Sequence, residues 1–144
     1  MAISFASCKV ERSTNGSVWT DIRADAAMIR VSGGERKMGK FFNFSLDYPV
    51  LTRGKRDSLQ VASRSIYSEG AADTFEVARA AYENGTDFYL RWSPEGGAIG
   101  DFLFTMAAGT ITNPPYPGGE AESADPVTFE MNVETALITK SVIS

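Results

Sequence analysis

Apolar and polar residues alternate with a period of two along most of this chain. Such alternation marks strands with one buried and one solvated face, so it narrows the possible folds more than any other feature. It is cleanest from Val127 to Ile138, where Val127, Phe129, Met131, Val133, Thr135 and Leu137 share one face. Thr128, Glu130, Asn132, Glu134 and Ala136 share the other. The same rhythm predicts strands over Ile3–Glu11, Val18–Ile22, Ala27–Val31, Thr86–Trp92 and Ile99–Thr112, and places Cys8 in the first of them. Asn15-Gly16 is a hairpin signal, and Gly33-Gly34 breaks the third strand. One segment changes period: Phe75, Ala78 and Tyr82 predict an amphipathic helix over Asp73–Asn84. Asp73 and Glu76 have the spacing of a capping box, and Gly85 supplies the left-handed stop. The proline-rich stretch Asn113–Asp125 has no period and is expected to form no ladder.

The segment Gly34–Glu69 reads as two long strands joined by an eleven-residue loop, Asp47–Asp57. Along the first strand, Met38, Phe42, Phe44 and Leu46 alternate as core positions, interrupted by Lys40. Along the second, Leu59, Val61, Ser63, Ser65 and Tyr67 share a face. The loop sets Tyr48, Pro49, Val50 and Leu51 beside Arg53, Lys55 and Arg56. Ordering such an arm costs backbone entropy and buries nothing within its own domain. It makes physical sense when another subunit covers it.

The 144 residues form one domain, 1–144, without repeat or linker. The order of elements predicts a mainly β fold. Antiparallel sheets form a sandwich or open barrel, with one flanking α-helix and a long projecting β-hairpin loop. Hydrophobic residues at 43% and charged residues at 22% are ordinary values for a chain that folds. No apolar run approaches the roughly 18 residues of a membrane span, and the first residues lack the pattern of a secretory signal.

The chain has no histidine, so the commonest general base and metal ligand is missing, along with Ser-His and Cys-His pairs. The single cysteine, Cys8, is expected to be a reduced thiol. No cofactor or metal is expected. Glu120/Glu122 and Glu130/Glu134 are possible acid–base pairs, but ordinary strand alternation accounts for the latter as a solvated or subunit-facing polar face. Gly96-Gly97-Ala98-Ile99-Gly100 lacks the lysine and following helix of a phosphate cradle, so it reads as a turn. The sequons at Asn15 and Asn84 read as turn chemistry. Arg36-Lys37, Lys40-Phe41-Phe42 and Arg53–Arg56 mix bases with aromatics as single-strand binders do. The acidic balance, net −4, favours a structural role for those aromatics.

That balance is uneven along the chain. Residues 30–64 carry eight Lys/Arg against three acids, whereas residues 65–144 carry three against twelve. Opposite-sign regions on one chain allow head-to-tail pairing between copies.

One resemblance is carried by Gly96–Val127. A glycine-rich turn is followed by Gly100–Thr112 and then by Pro114-Pro115-Tyr116-Pro117-Gly118-Gly119 running to Asp125-Pro126-Val127. Ahead of it come the long hairpin, Ser65–Gly70, a short helix and Phe88–Pro94. This arrangement resembles the tail tube (major tail) proteins of long-tailed bacteriophages, related to the inner-tube proteins of tail-like particles. The resemblance implies six subunits per ring, with inner strands joined into one β-barrel and rings stacked into a channel for DNA. It implies a non-enzymatic protein of the virion tail, assembled in the bacterial cytoplasm with tape measure, terminator and distal tail proteins. DNA would pass through without specific binding, and no membrane is involved. The arm residues Tyr48, Pro49, Val50, Leu51, Arg53, Lys55 and Arg56 would then contact the next ring. Glu130, Asn132 and Glu134 are lumen-lining candidates, in a channel expected to be acidic. The alternatives are another tail component of the same fold, such as a terminator or contractile-system inner tube, or a monomeric β-rich binding domain.

Overall fold

The computed structural model describes residues 2–144. A 3-10 turn, Phe5–Ser7, precedes β1 (Lys9–Ser13), β2 (Thr20–Asp21), β3 (Ala26–Gly33), β4 (Arg36–Phe41), β5 (Val50–Arg56) and β6 (Leu59–Ile66). The helix α1 (Thr74–Asn84) follows. The chain then forms β7 (Tyr89–Ser93), β8 (Phe102–Met106), β9 (Gly109–Ile111), β10 (Pro117–Gly118), β11 (Thr128–Thr135) and β12 (Ile138–Val142). The first sheet runs β12-β8-β7-β1-β2 and the second β10-β11-β6-β3, with β9 also paired to β11. All pairings are antiparallel, and the sheets pack as a sandwich. The mainly β architecture with one helix follows the alternation in the sequence.

The core forms where the inward residues of the two sheets meet. Val10, Leu90, Trp92 and Met106 come from the first sheet, and Val61, Phe129, Met131 and Val133 from the second. In β11 the odd-numbered residues Phe129–Thr135 are buried, as the period requires, and Val127 and Leu137 fall outside the ladder and are exposed. The expected face of β6 also points inward, with Ser63 and Ser65 completely buried opposite Met131 and Phe129.

Two predicted strands are each split in two, and at the same corner. Ile99–Thr112 becomes β8 in the first sheet and β9 in the second, and Val127–Ile138 becomes β11 and the start of β12. The two crossovers are tied together. Thr135 Oγ1 donates to the Ala107 carbonyl at 3.1 Å, and Ala107 N–H donates to the Leu137 carbonyl at 2.9 Å. Gly109 completes the corner, because a Cβ there would lie 2.6 Å from Val133 Cγ1 and 2.7 Å from Met106 Cε. Close approach of backbone to β11 therefore ends the first strand, and alternation alone does not reveal it.

Other expectations need smaller corrections. The first strand begins only at Lys9, so Cys8 lies outside it, half-buried, and burial pushes its thiol pKa up. The Asn15-Gly16 turn closes only the short β1–β2 pair. The proline-rich loop does contribute a ladder, because Pro117 and Gly118 pair with Phe129 and Thr128. This edge position tolerates a missing N–H.

The helix has the expected extent, with Gly85 in the left-handed conformation at φ 65°. Its capping box is not formed. Asp73 accepts from Gly70 N–H at 2.9 Å instead, and Glu76 pairs with Arg79. The N-terminal end is held by Arg12 of β1, which donates to the Ala72 carbonyl at 2.7 Å and to Thr74 Oγ1 at 3.2 Å. Desolvation lowers the pKa of that guanidinium, opposed by nearby Asp73. Ala78 and Ala81 bury the helix against the core, and Phe75 meets Phe129 edge-on at 5.3 Å. The helix thereby closes one flank of the sandwich.

Candidate assembly interface

The arm leaves the body through a fixed neck. Gly34 N–H donates to the Ser58 carbonyl at 2.9 Å, and Asp57 N–H donates to the Glu35 carbonyl at 2.8 Å. Gly33 and Gly34 both have positive φ, 81° and 75°. Added Cβ atoms would lie 2.7 Å from Ser58 O and 2.5 Å from Leu59 Cδ2, so only glycine fits both positions without displacement. Beyond the neck, β4 and β5 pair only with each other, from Arg36↔Arg56 to Phe41↔Val50, with a bulge before Met38. Every residue of both strands is exposed.

This geometry corrects the sequence reading of the arm. Val50–Arg56 is not loop but the strand β5, because it finds its ladder in β4. The connection is residues 42–49, folded around Asn43, whose Oδ1 accepts from Ser45 N–H at 3.0 Å and Leu46 N–H at 3.1 Å. Phe42 and Phe44 are not core residues, being 67% and 112% exposed, and Met38 and Leu46 are exposed as well. Their alternation is genuine, but no described element of this chain covers that face. Among the expected contact residues, Tyr48 and Pro49 lie in the tip connection, and Val50, Leu51, Arg53, Lys55 and Arg56 lie along β5.

Glu130, Asn132 and Glu134 lie together on the outward face of the second sheet. Register rows across that face read Met28–Arg64–Glu130, Arg30–Ala62–Asn132 and Ser32–Gln60–Glu134. Glu134 also accepts from Ser58 Oγ at 2.6 Å. These rows therefore carry two charges of each sign, Arg30 and Arg64 with Glu130 and Glu134, and Arg64 is directly opposite Glu130. The β3 strand forms one margin of this sheet, with β6 as its one partner strand. An eight-residue free edge of this kind is a template for another strand.

One further surface joins segments too distant for sequence to connect. Phe5, Val31, Leu59, Trp92, Phe104 and Ile138 line an apolar groove of about 460 Å³ on a flank that the helix does not cover. Trp92 and Phe104 stack at its floor, 6.0 Å apart and 22° from parallel. Among the described residues, no group of His, Cys, Asp and Glu could hold a metal ion. Among the described residues, no helix is long and apolar enough to cross a membrane.

No family model matches the sequence, and neither does any curated protein. Solved structures do match. A chain from the tail of an empty gene transfer agent particle with C6 symmetry superposes with a TM-score of 0.70 at 14% identity, covering 99% of this chain and 100% of that one. A chain from the sheath–tube complex of an extracellular contractile injection system, PVC, in its extended state gives 0.67 at 12%, covering 99% and 93%. A chain of the SPP1 tail tube gives 0.67 at 13%, covering 99% and 81%. Over almost its whole length, this chain therefore has the fold of chains that occur in phage-like tails and in the tubes of contractile injection systems.

Proposed function

We propose that the protein is a structural subunit forming the stacked hexameric rings of a phage tail tube, the channel for DNA passage during ejection. The observation that carries this reading is the arm. A two-stranded ribbon with every strand residue exposed, and four apolar side chains at its tip, stabilises nothing in its own domain. It occurs on a fold shared with a C6-symmetric tail. In this reading the tip and β5, from Tyr48 to Arg56, contact the adjacent ring. The free β3 edge is covered by a neighbour within the ring. The outward face of the second sheet, with Glu130, Asn132 and Glu134, lines the channel. Balanced charge on that face gives the DNA backbone no fixed cationic stripe to bind, because Arg30 and Arg64 each have carboxylates within the same sheet face.

The protein acts without enzymatic activity, in the virion tail, after assembly in the bacterial cytoplasm. Its partners are its own copies together with tape measure, terminator and distal tail proteins. A second reading, the inner tube of a contractile particle, is favoured by the match to a chain of the AFP baseplate. That match has a TM-score of 0.70 and covers 100% of this chain at 9% identity.

Sedimentation velocity over a range of concentrations tests the proposal. Species at six times the 15.6 kDa chain mass and at multiples of that hexamer are expected. A single 15.6 kDa species at every concentration, even with tail-initiating partners added, would refute it.

A further inference from the structure

We propose that the apolar groove formed by Phe5, Val31, Leu59, Trp92, Phe104 and Ile138 receives the arm tip of a second copy of this chain. The inference rests on the tube reading and names the receiving surface that this reading leaves open.

The groove is the open flank of the sandwich. β8 and β12 turn Phe104 and Ile138 towards the second sheet, where Val31 and Leu59 are the side chains that line the facing wall. Val31 remains 40% exposed and Phe5 55%. The arm presents the complementary surface, with Phe42, Phe44, Leu46 and Tyr48 all in water. Two apolar surfaces on one chain are thus left without cover, and each can cover the other only if the tip can reach a groove.

The chain's own groove is out of reach. The arm's neck sits directly beside Leu59, which lines the groove, and the paired strands carry the tip away from that point. A six-residue strand spans about 20 Å. The occupant must therefore come from another copy. Charge favours the same partner. Residues 36–56 carry six Lys/Arg and one acid, whereas the rest of the chain carries eight against seventeen. Lys140, the one charged residue of the groove lining, lies over the Phe102 ring at 4.1 Å, so the groove itself offers apolar contact. Tip into groove is a contact between different surfaces of identical chains. Such a contact propagates rather than closing on a pair, as a stack of rings requires.

Cross-linking tests the assignment. In a Cys8→Ser background, Phe44→Cys and Val31→Cys together should give interchain disulfides when assembled material is oxidised. Neither single variant should do so, nor should Phe44→Cys combined with Gln60→Cys on the outward sheet face. In parallel, Phe44→Ser and Val31→Asp should each raise the critical concentration for assembly at least tenfold. The double variant should add little more, because both remove one contact. If assemblies form without the Phe44–Val31 disulfide, the groove is not the receiver, although the tube reading stands. A wild-type chain that never assembles overturns both. If Val31→Asp fails to fold, as judged by circular dichroism, the cross-link decides alone.

Discussion

Replacing Phe42 and Phe44 by serine should separate folding from assembly. Both side chains are more than half exposed and lie in the tip connection, so the sandwich loses no core contact. Exposed substitutions of this kind change stability by about 0.5 kcal/mol at most. In a chain of this size that is a shift in thermal midpoint of no more than about 2 °C. Assembly should respond differently. Full burial of one phenylalanine in a neighbour contributes about 2 kcal/mol, equivalent to roughly thirtyfold in the critical concentration. The assay pairs a circular dichroism melt with pelleting of assembled material across a concentration series. A melt lowered by many degrees would mean that the tip supports its own domain. Pelleting at the wild-type concentration would mean that the tip contacts no neighbour. Either result refutes the reasoning. The structure also dictates how the arm should be shortened. Deleting Val50–Arg56 removes β5 and strands β4, whereas replacing residues 42–49 with an Asn-Gly turn keeps the ribbon paired.

Three further outcomes are expected in the body of the protein. Gly109→Ala should lower stability by about 1–3 kcal/mol in urea titration, because its Cβ collides with Val133 and Met106; an unchanged midpoint would show that the corner relaxes freely. Arg12→Met should cost about 1–3 kcal/mol by the same measurement, since it leaves the Ala72 carbonyl without its donor, and wild-type stability would show that water replaces the bond. Glu76 is held below the ordinary carboxylate range by its hydrogen bond from Arg79 and by the charge of that residue. Its contribution is therefore full above the unfolded carboxyl pKa and fades as pH falls through the lowered folded value. Glu76→Gln should accordingly narrow the gap between the thermal midpoints at neutral and acid pH, slightly because the pair is exposed; an unaltered pH profile would contradict the pairing.

Local chemistry was legible wherever it was also decisive. The buried face of β11, the inward face of β6, the helix and its Gly85 stop all follow from period and turn residues. What sequence could not supply was anything fixed by contact between distant segments. The corner at Ala107 and Leu137 depends on Thr135 and Gly109 meeting in space, so two strands looked continuous. Alternation at Phe42 and Phe44 marks a face that this chain leaves exposed, and it has the same pattern as a face covered by the chain itself. The charge balance of the second sheet's outward face was hidden for a related reason. Glu130 and Glu134 were visible on one strand, but Arg64 and Arg30 join them only through sheet register. The groove, built from residues 5 to 138, had no sequence signal at all.

Electron cryomicroscopy of the concentrated protein tests the central claim most directly. The expected result is a hollow filament of six-fold rings, with the outward face of the second sheet towards the channel and each arm reaching an adjacent ring. Isolated monomers at every concentration, or filaments whose arms remain free in solvent, would contradict it.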